Sequence, residues 1–366
     1  MDDVKLLQKI NWNGLSCFER ALCFGAMSFN KNSLYAFLLL KMRYRNYFSD
    51  LGKYSIASDD YYLKLFSILG LGFERKTCDR DKFLYELQKE MEKGAYVIIC
   101  TNTYDIEGTK DYKNKNHPHF IPISEFNDDK IIIIDEDWTK NYWYKENAKD
   151  EVIYLPKSVS FNDLIRYASR YYICSDDCRE NNCCYITVYK KELKQADLSI
   201  VLQEYLQSLE IVLENKSLYF EQIVPCVKSF YKSFEKYITA LGDAGRVEVN
   251  ELQSSQSNFV LKNRYIYPGD LELIACHHFY LDSQYQALKL MFSSIFIESQ
   301  LYKNFDLLLS KYNCIKLFIA KDIYVKKADH EELNIKLAGV CLDLEIKLYR
   351  DIMQFINKNY NSIGVS

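Results

Sequence analysis

Cys17, His119 and Asp135 are the residue types that a cysteine nucleophile with its base and orienting acid requires. A thiolate attacks, a histidine manages its proton, and a third group holds the imidazole in the useful tautomer. Cys17 lies in Leu15-Ser16-Cys17-Phe18-Glu19, where Ser16 and Glu19 have the S-x-x-E spacing of a capping box. The spacing predicts Ser16 as the N-cap and Cys17 as the first helical residue. A thiol placed there meets unpaired backbone N–H groups and the positive end of the helix dipole, both of which favour the thiolate. Of the 5 histidines, only His117 and His119 fall in the same half of the chain as Cys17. His119 opens one strand-like run and Asp135 closes the next. Pairing about a turn at Asp128-Asp129 brings His119 within a few positions of Asp135, and keeps Asp137 as a second candidate orienter. A buried cysteine, a histidine beside a proline and an acidic turn are each ordinary by themselves. Their conjunction is what points to chemistry.

The elements that must position these residues follow from hydrophobic spacing. Phe18, Ala21, Leu22, Gly25, Ala26 and Phe29 recur at helical intervals after Cys17. Further helices are expected over 34–48, 58–69 and 79–93, the second ended by Gly70 and Gly72 and the third by Gly94. Residues 95–100 read as a buried strand. His119, Ile121 and Ile123 share one strand face. The turn 127–130 leads to Ile131–Ile134, so the two runs are expected to form an antiparallel hairpin. Residues 185–189 form one more strand. From about Lys194 helical periodicity dominates, over 198–213, 219–241, 270–312 with breaks, and 332–359, with loops at 242–245 and 254–258. The fold class expected is α+β: residues 1–193 as a catalytic domain of helices packed on an antiparallel sheet, then a mostly helical domain, 194–366.

At 366 residues the chain has room for two such domains. With 31 Tyr and 21 Phe, an aromatic core or an aromatic-lined pocket is expected. A net charge of −3 gives no basis for nucleic-acid binding. Neither 36–40 nor 131–134, the longest apolar runs, approaches a membrane span. The start Met-Asp-Asp-Val-Lys lacks the pattern of a secretory signal, and 12 irregularly spaced cysteines suit reduced thiols. A cytoplasmic location without membrane contact is therefore expected.

Residues 11–137 resemble the papain-like cysteine-peptidase superfamily. The likeness is to its bacterial branch, which holds the bacteriocin-processing peptidases and the butirosin biosynthesis protein H N-terminal family. In that branch the nucleophile opens a long helix, the base begins a strand, and an Asp closes the following one. The resemblance implies a papain-like domain with Cys17 as nucleophile, His119 as base and Asp135 as orienting acid. An oxyanion-binding side chain stands six residues before the nucleophile in the family. Here that position is Asn11 instead of Gln, with the same N–H group on a shorter side chain. Two departures stand out: Asp135 is followed by Glu136 where the family often has Pro, and Cys17 by Phe18 where it often has a small residue.

The butirosin-type members imply a cysteine-dependent acyltransferase with no bound cofactor. Its donor acyl group is carried on the phosphopantetheine of an acyl or peptidyl carrier protein, and its acceptor is a small amine. The layout is similar to that of the peptide-forming, cysteine-protease-like enzymes of polythioamide biosynthesis. Amide formation in thiotemplated natural-product biosynthesis is thus the expected function, with the helical second half as a substrate or lid domain that keeps water from the acyl-enzyme. A cysteine peptidase or amidohydrolase with the same triad is the alternative, and a non-catalytic binding module the third reading.

Other groups carry less. Cys174, Cys178, Cys183 and Cys184 have none of the usual zinc-knuckle spacings, and free thiols in a loop are expected. His277 and His278 are adjacent on a helix, so at most one faces inward. Glu272 and Glu298 are conceivable amine-binding carboxylates. No Walker A, dinucleotide glycine fingerprint or H-E-x-x-H occurs.

Overall fold

A computed structural model describes residues 15–40, 59–107, 109, 112–113, 118–126, 131–136, 154–169, 182–191, 197–215, 223–244, 254–255, 258–259, 268–325 and 327–360. By contact density the chain divides into two compact units, Met1–Phe37 with Asp59–Val201 and Leu38–Ser58 with Leu202–Ser366. The architecture is α+β, with 10 α-helices and one antiparallel six-stranded sheet among the described residues.

In the first unit the helices are α1 (Cys17–Met27), α2 (Ser33–Leu39), α3 (Asp59–Ile68), α4 (Phe83–Glu92) and α5 (Phe161–Ala168). The strands are β1 (Leu71–Asp79), β2 (Tyr96–Asn102), β3 (Pro118–Phe126), β4 (Ile131–Glu136), β5 (Tyr154–Val159) and β6 (Asn182–Lys190). They lie in the order β1-β6-β2-β3-β4-β5. Strand alternation separates two faces. Val97, Ile99, Ile121, Ile123, Ile131 and Ile133 pack with Phe83, Leu87 and Leu164 of α4 and α5. The opposite face receives α1. Gly25 makes that approach close: a Cβ there would stand 2.9 Å from Val188 Cγ2 and 3.2 Å from Tyr96 Cδ1. The glycine at the centre of the predicted stripe is therefore where α1 rests on β6 and β2.

The predicted hairpin of β3 and β4 is antiparallel, with one irregularity. Phe126 pairs with Ile131 and Glu125 with Ile132, yet Ile123 pairs with Ile133, leaving Ser124 as an extra residue in β3. A bulge of this kind re-aims the side chains beyond it.

In the second unit α6 (Leu198–Glu214) precedes α7 (Ile223–Ala244), α8 (Pro268–Ile297), α9 (Gln300–Val325) and α10 (Glu331–Asn359). Each of α7 to α10 packs on the next and α7 also packs on α10, so the four close into a bundle. Its interior holds buried carboxylates held by phenols. Tyr231 donates to Asp322 Oδ2 at 2.7 Å, and Tyr312 and Tyr349 donate to the two oxygens of Glu345 at 2.7 and 2.5 Å. These pairings satisfy charges that would otherwise be costly to bury. Part of the tyrosine-rich composition thus serves the bundle core.

Several expectations need adjustment. The helix expected over 34–48 is seen as Ser33–Leu39, and 41–58 lie outside the described residues. Gly70, at φ +67°, ends α3, whereas Gly72 belongs to β1. A Cβ on Gly72 would sit 2.8 Å from the Tyr189 ring of the paired strand. The run 270–312 is two helices, divided near Ser299. Gly242 lies within α7, and 254–259 hold a short ladder of Ser254–Ser255 with Asn258–Phe259. Among the described residues no helix is long and apolar enough to cross a membrane.

Candidate active site

The start of α1 has the geometry its capping box specifies. Ser16 is the N-cap, the Glu19 N–H donates to Ser16 Oγ at 3.2 Å, and the Ser16 N–H donates to Glu19 Oε2 at 2.7 Å. Cys17 follows as the first helical residue, so its N–H and that of Phe18 fall in the turn that has no intrahelical acceptors. The sulfur is half-buried and lies 3.8 Å from the Pro118 carbonyl oxygen, at the start of β3. Phe18 is a buried core residue. Its ring packs at 4.7 Å from that of Phe120 and 5.0 Å from that of Tyr62, pinning the helix start to β3 and α3.

His119 is the second residue of β3, 4% exposed, and Asp135 the fifth of β4, 2% exposed. His119 Nε2 lies 2.9 Å from Asp135 Oδ1. The Cys17 side chain is close enough to the same ring to interact with it. With Nε2 engaged by the carboxylate, Nδ1 is the atom left to serve the thiol. Burial by itself lowers the pKa of His119, but the hydrogen bonds and charges of Asp135 and Cys17 outweigh it and push the value up to about 10. Asp135 and Cys17 thus favour the protonated form of His119. Burial pushes Cys78 up to about 11 and Cys183 and Cys341 to about 12, which suppresses their thiolates near neutral pH.

Three neighbours of this group carry no sequence signal of their own. Lys157 of β5 donates to Asp135 Oδ2 at 3.4 Å and to the Glu136 carbonyl at 2.5 Å, so the Asp135 carboxylate is shared between imidazole and ammonium. Thr101, directly across β2 from His119, donates to the Tyr167 carbonyl at 2.9 Å and ties α5 to the strand behind the imidazole. Arg20, one turn along α1 from Cys17, pairs with Glu136 at 2.9 Å.

The structure brings together Cys17, His119 and Asp135. Asn11, His117 and Asp137 lie outside the described residues, as do Cys174 and Cys178. Cys183 and Cys184, expected in a loop, are buried residues of β6 with free thiols. Glu298 is exposed between α8 and α9, and the side chains of Glu272, His277 and His278 lie outside the described residues. Among the described residues no cluster of three or more His, Cys, Asp or Glu could hold a metal ion. No family model matches the sequence, and no curated protein matches it either.

Proposed function

We propose that this protein is a cysteine-dependent acyltransferase that forms an amide bond, built on a papain-like catalytic domain. The observation that carries the reading is the buried 2.9 Å contact of His119 Nε2 with Asp135 Oδ1, on a residue next in sequence to Pro118, whose carbonyl lies 3.8 Å from the Cys17 sulfur at a helix start. It supports a nucleophile, a base and an orienter in working order. The choice of acyl transfer, with thiotemplated natural-product biosynthesis as its setting, rests on the resemblance of residues 11–137 to the butirosin-type family.

The steps follow from the groups. With the proton already held on His119, the Cys17 thiolate adds to the carbonyl carbon of an acyl group carried on the phosphopantetheine of a carrier protein. The oxyanion that forms meets the first-turn N–H groups of α1, with Asn11 by resemblance adding a side-chain N–H. The bond to the phosphopantetheine sulfur breaks, His119 returns its proton to that leaving thiol, and the acyl group remains on Cys17. An amine then adds to the acyl-enzyme carbonyl and gives a proton to His119. The Cys17–acyl bond breaks and the amide departs. Asp135 keeps Nε2 occupied throughout, so Nδ1 alone shuttles the proton.

The same groups would serve a cysteine peptidase or amidohydrolase if water took the place of the amine. The test is product analysis with an acyl thioester, with and without amine. Amide that appears at the expense of free acid, and only with Cys17 present, is the expected result. Release of free acid at a rate indifferent to amine would assign hydrolysis instead.

A further inference from the structure

Arg20 is a buried cation that no step of the reaction uses. Its side chain is 12% exposed, and that of its partner Glu136 is 7% exposed. The guanidinium fork spans two elements. Nε donates to the Leu15 carbonyl at 2.7 Å, in the segment that leads into α1. Nη1 donates to Glu136 Oε1 at 2.9 Å and to Tyr154 Oη at 3.1 Å, and the Tyr154 hydroxyl also donates to Glu136 Oε1 at 3.3 Å. Glu136 directly follows Asp135, and Tyr154 lies opposite Glu136 on β5. One side chain therefore joins the entry to the Cys17 helix with the strand end that carries the partner of His119. Burying such an ionic group adds little net stability, and a hydrophobic trio of like volume would pack as well. Geometry is the better account of its presence, and only the rigid, multi-donor fork of arginine reaches all three acceptors.

We propose that Arg20 is a positioning residue for Cys17, locking the start of α1 to the end of β4 so that Cys17, His119 and Asp135 keep register. The inference rests on the reading of Cys17 as a nucleophile, whatever its acyl donor. It also gives Glu136 a role, as the anchor for Arg20. The charge of Arg20 adds to the effect. Burial disfavours its charged form, but Tyr154 and Glu136 outweigh that and hold it protonated, and Cys17 is within its field.

The test is the rate of iodoacetamide alkylation at Cys17, resolved by peptide mass spectrometry and followed against pH. Fold is checked by circular dichroism. In the paired variant Arg20→Met with Glu136→Met, which removes both charges together, alkylation at neutral pH should fall by about tenfold or more, because small displacements of reacting groups have effects of that size. Its pH profile should also change, because that profile reports the register of Cys17 with His119 that the clamp holds. Arg20→Lys keeps the charge but not the fork, and should show a smaller fall of about threefold. Wild-type rates and profile in the folded paired variant would overturn the proposal. If that variant does not fold, a wild-type rate in Arg20→Lys overturns it equally. Alkylation needs no acyl donor, so the clamp stands or falls separately from the acyltransferase reading.

Discussion

His119 reaches Asp135 because Ser124, five residues along β3, is an extra residue in the ladder. Beyond it Ile123 faces Ile133, and continuing that register sets Asp135 on the face that His119, Ile121 and Ile123 share. Under the pairing of Phe126 with Ile131, carried on unbroken, Glu136 would occupy that face instead. The bulge thus selects the shorter carboxylate for the histidine and leaves Glu136 to Arg20.

Deleting Ser124 should undo this selection. The hairpin would pair without interruption and offer Glu136 to His119, and Cys17 alkylation should slow by about tenfold or more in a folded protein. Ser124→Ala, which keeps the residue count and loses only an exposed hydrogen bond to the Ile132 carbonyl, should stay within about twofold. Equal rates in the deletion and the wild type would refute the role of the bulge.

The pKa of His119 makes a signed prediction for stability. Its folded value of about 10 exceeds the ordinary 6.5, so the stabilisation from its protonation is complete below about pH 6.5 and is lost as pH rises through about 10. Asp135→Asn removes the main source of that shift. The stability gap between wild type and Asp135→Asn, measured by urea unfolding, should be larger at pH 6 than at pH 10.5 by at least about 1.4 kcal/mol, the equivalent of one pKa unit. A gap that does not change with pH would show that His119 is neutral in the fold.

Lys157 competes with His119 for the Asp135 carboxylate. Lys157→Met removes a cation near the imidazolium, so the midpoint of the His119 ring resonances in NMR should move to higher pH. A downward move would mean that Lys157 chiefly orients Asp135.

Ser16→Ala removes the acceptor for the Glu19 N–H at the start of α1. A loss of about 1 kcal/mol is expected in chemical denaturation. Cys17 alkylation should slow with it, because the first turn that carries the sulfur frays. Unchanged stability and reactivity together would dissociate the cap from the site.

The local parts of this arrangement were legible in the sequence. Ser16 and Glu19 state a helix start by spacing alone, and the alternation through Ile121, Ile123 and Ile131–Ile134 states two strands with His119 and Asp135 at their ends. What escaped depends on distant partners. β1 is a half-exposed edge strand whose Glu74, Arg75 and Lys76 mask its alternation. β5 is also an edge strand, and its Pro156 weakens the strand signal although an edge tolerates it. Lys157 was hidden along with its strand. Ser124 is an ordinary serine until its pairing is known, and Arg20 looks like any solvated helix residue until Glu136 is brought to it.

The most direct test of the account is intact-mass analysis after incubation with an acyl thioester of a phosphopantetheinylated carrier protein, followed by peptide mapping. The account predicts one acyl group on Cys17, absent in Cys17→Ala, greatly reduced in His119→Ala, and discharged as an amide when amine is added. A Cys17 that is readily alkylated yet never acquires the acyl group from any carrier thioester would contradict it.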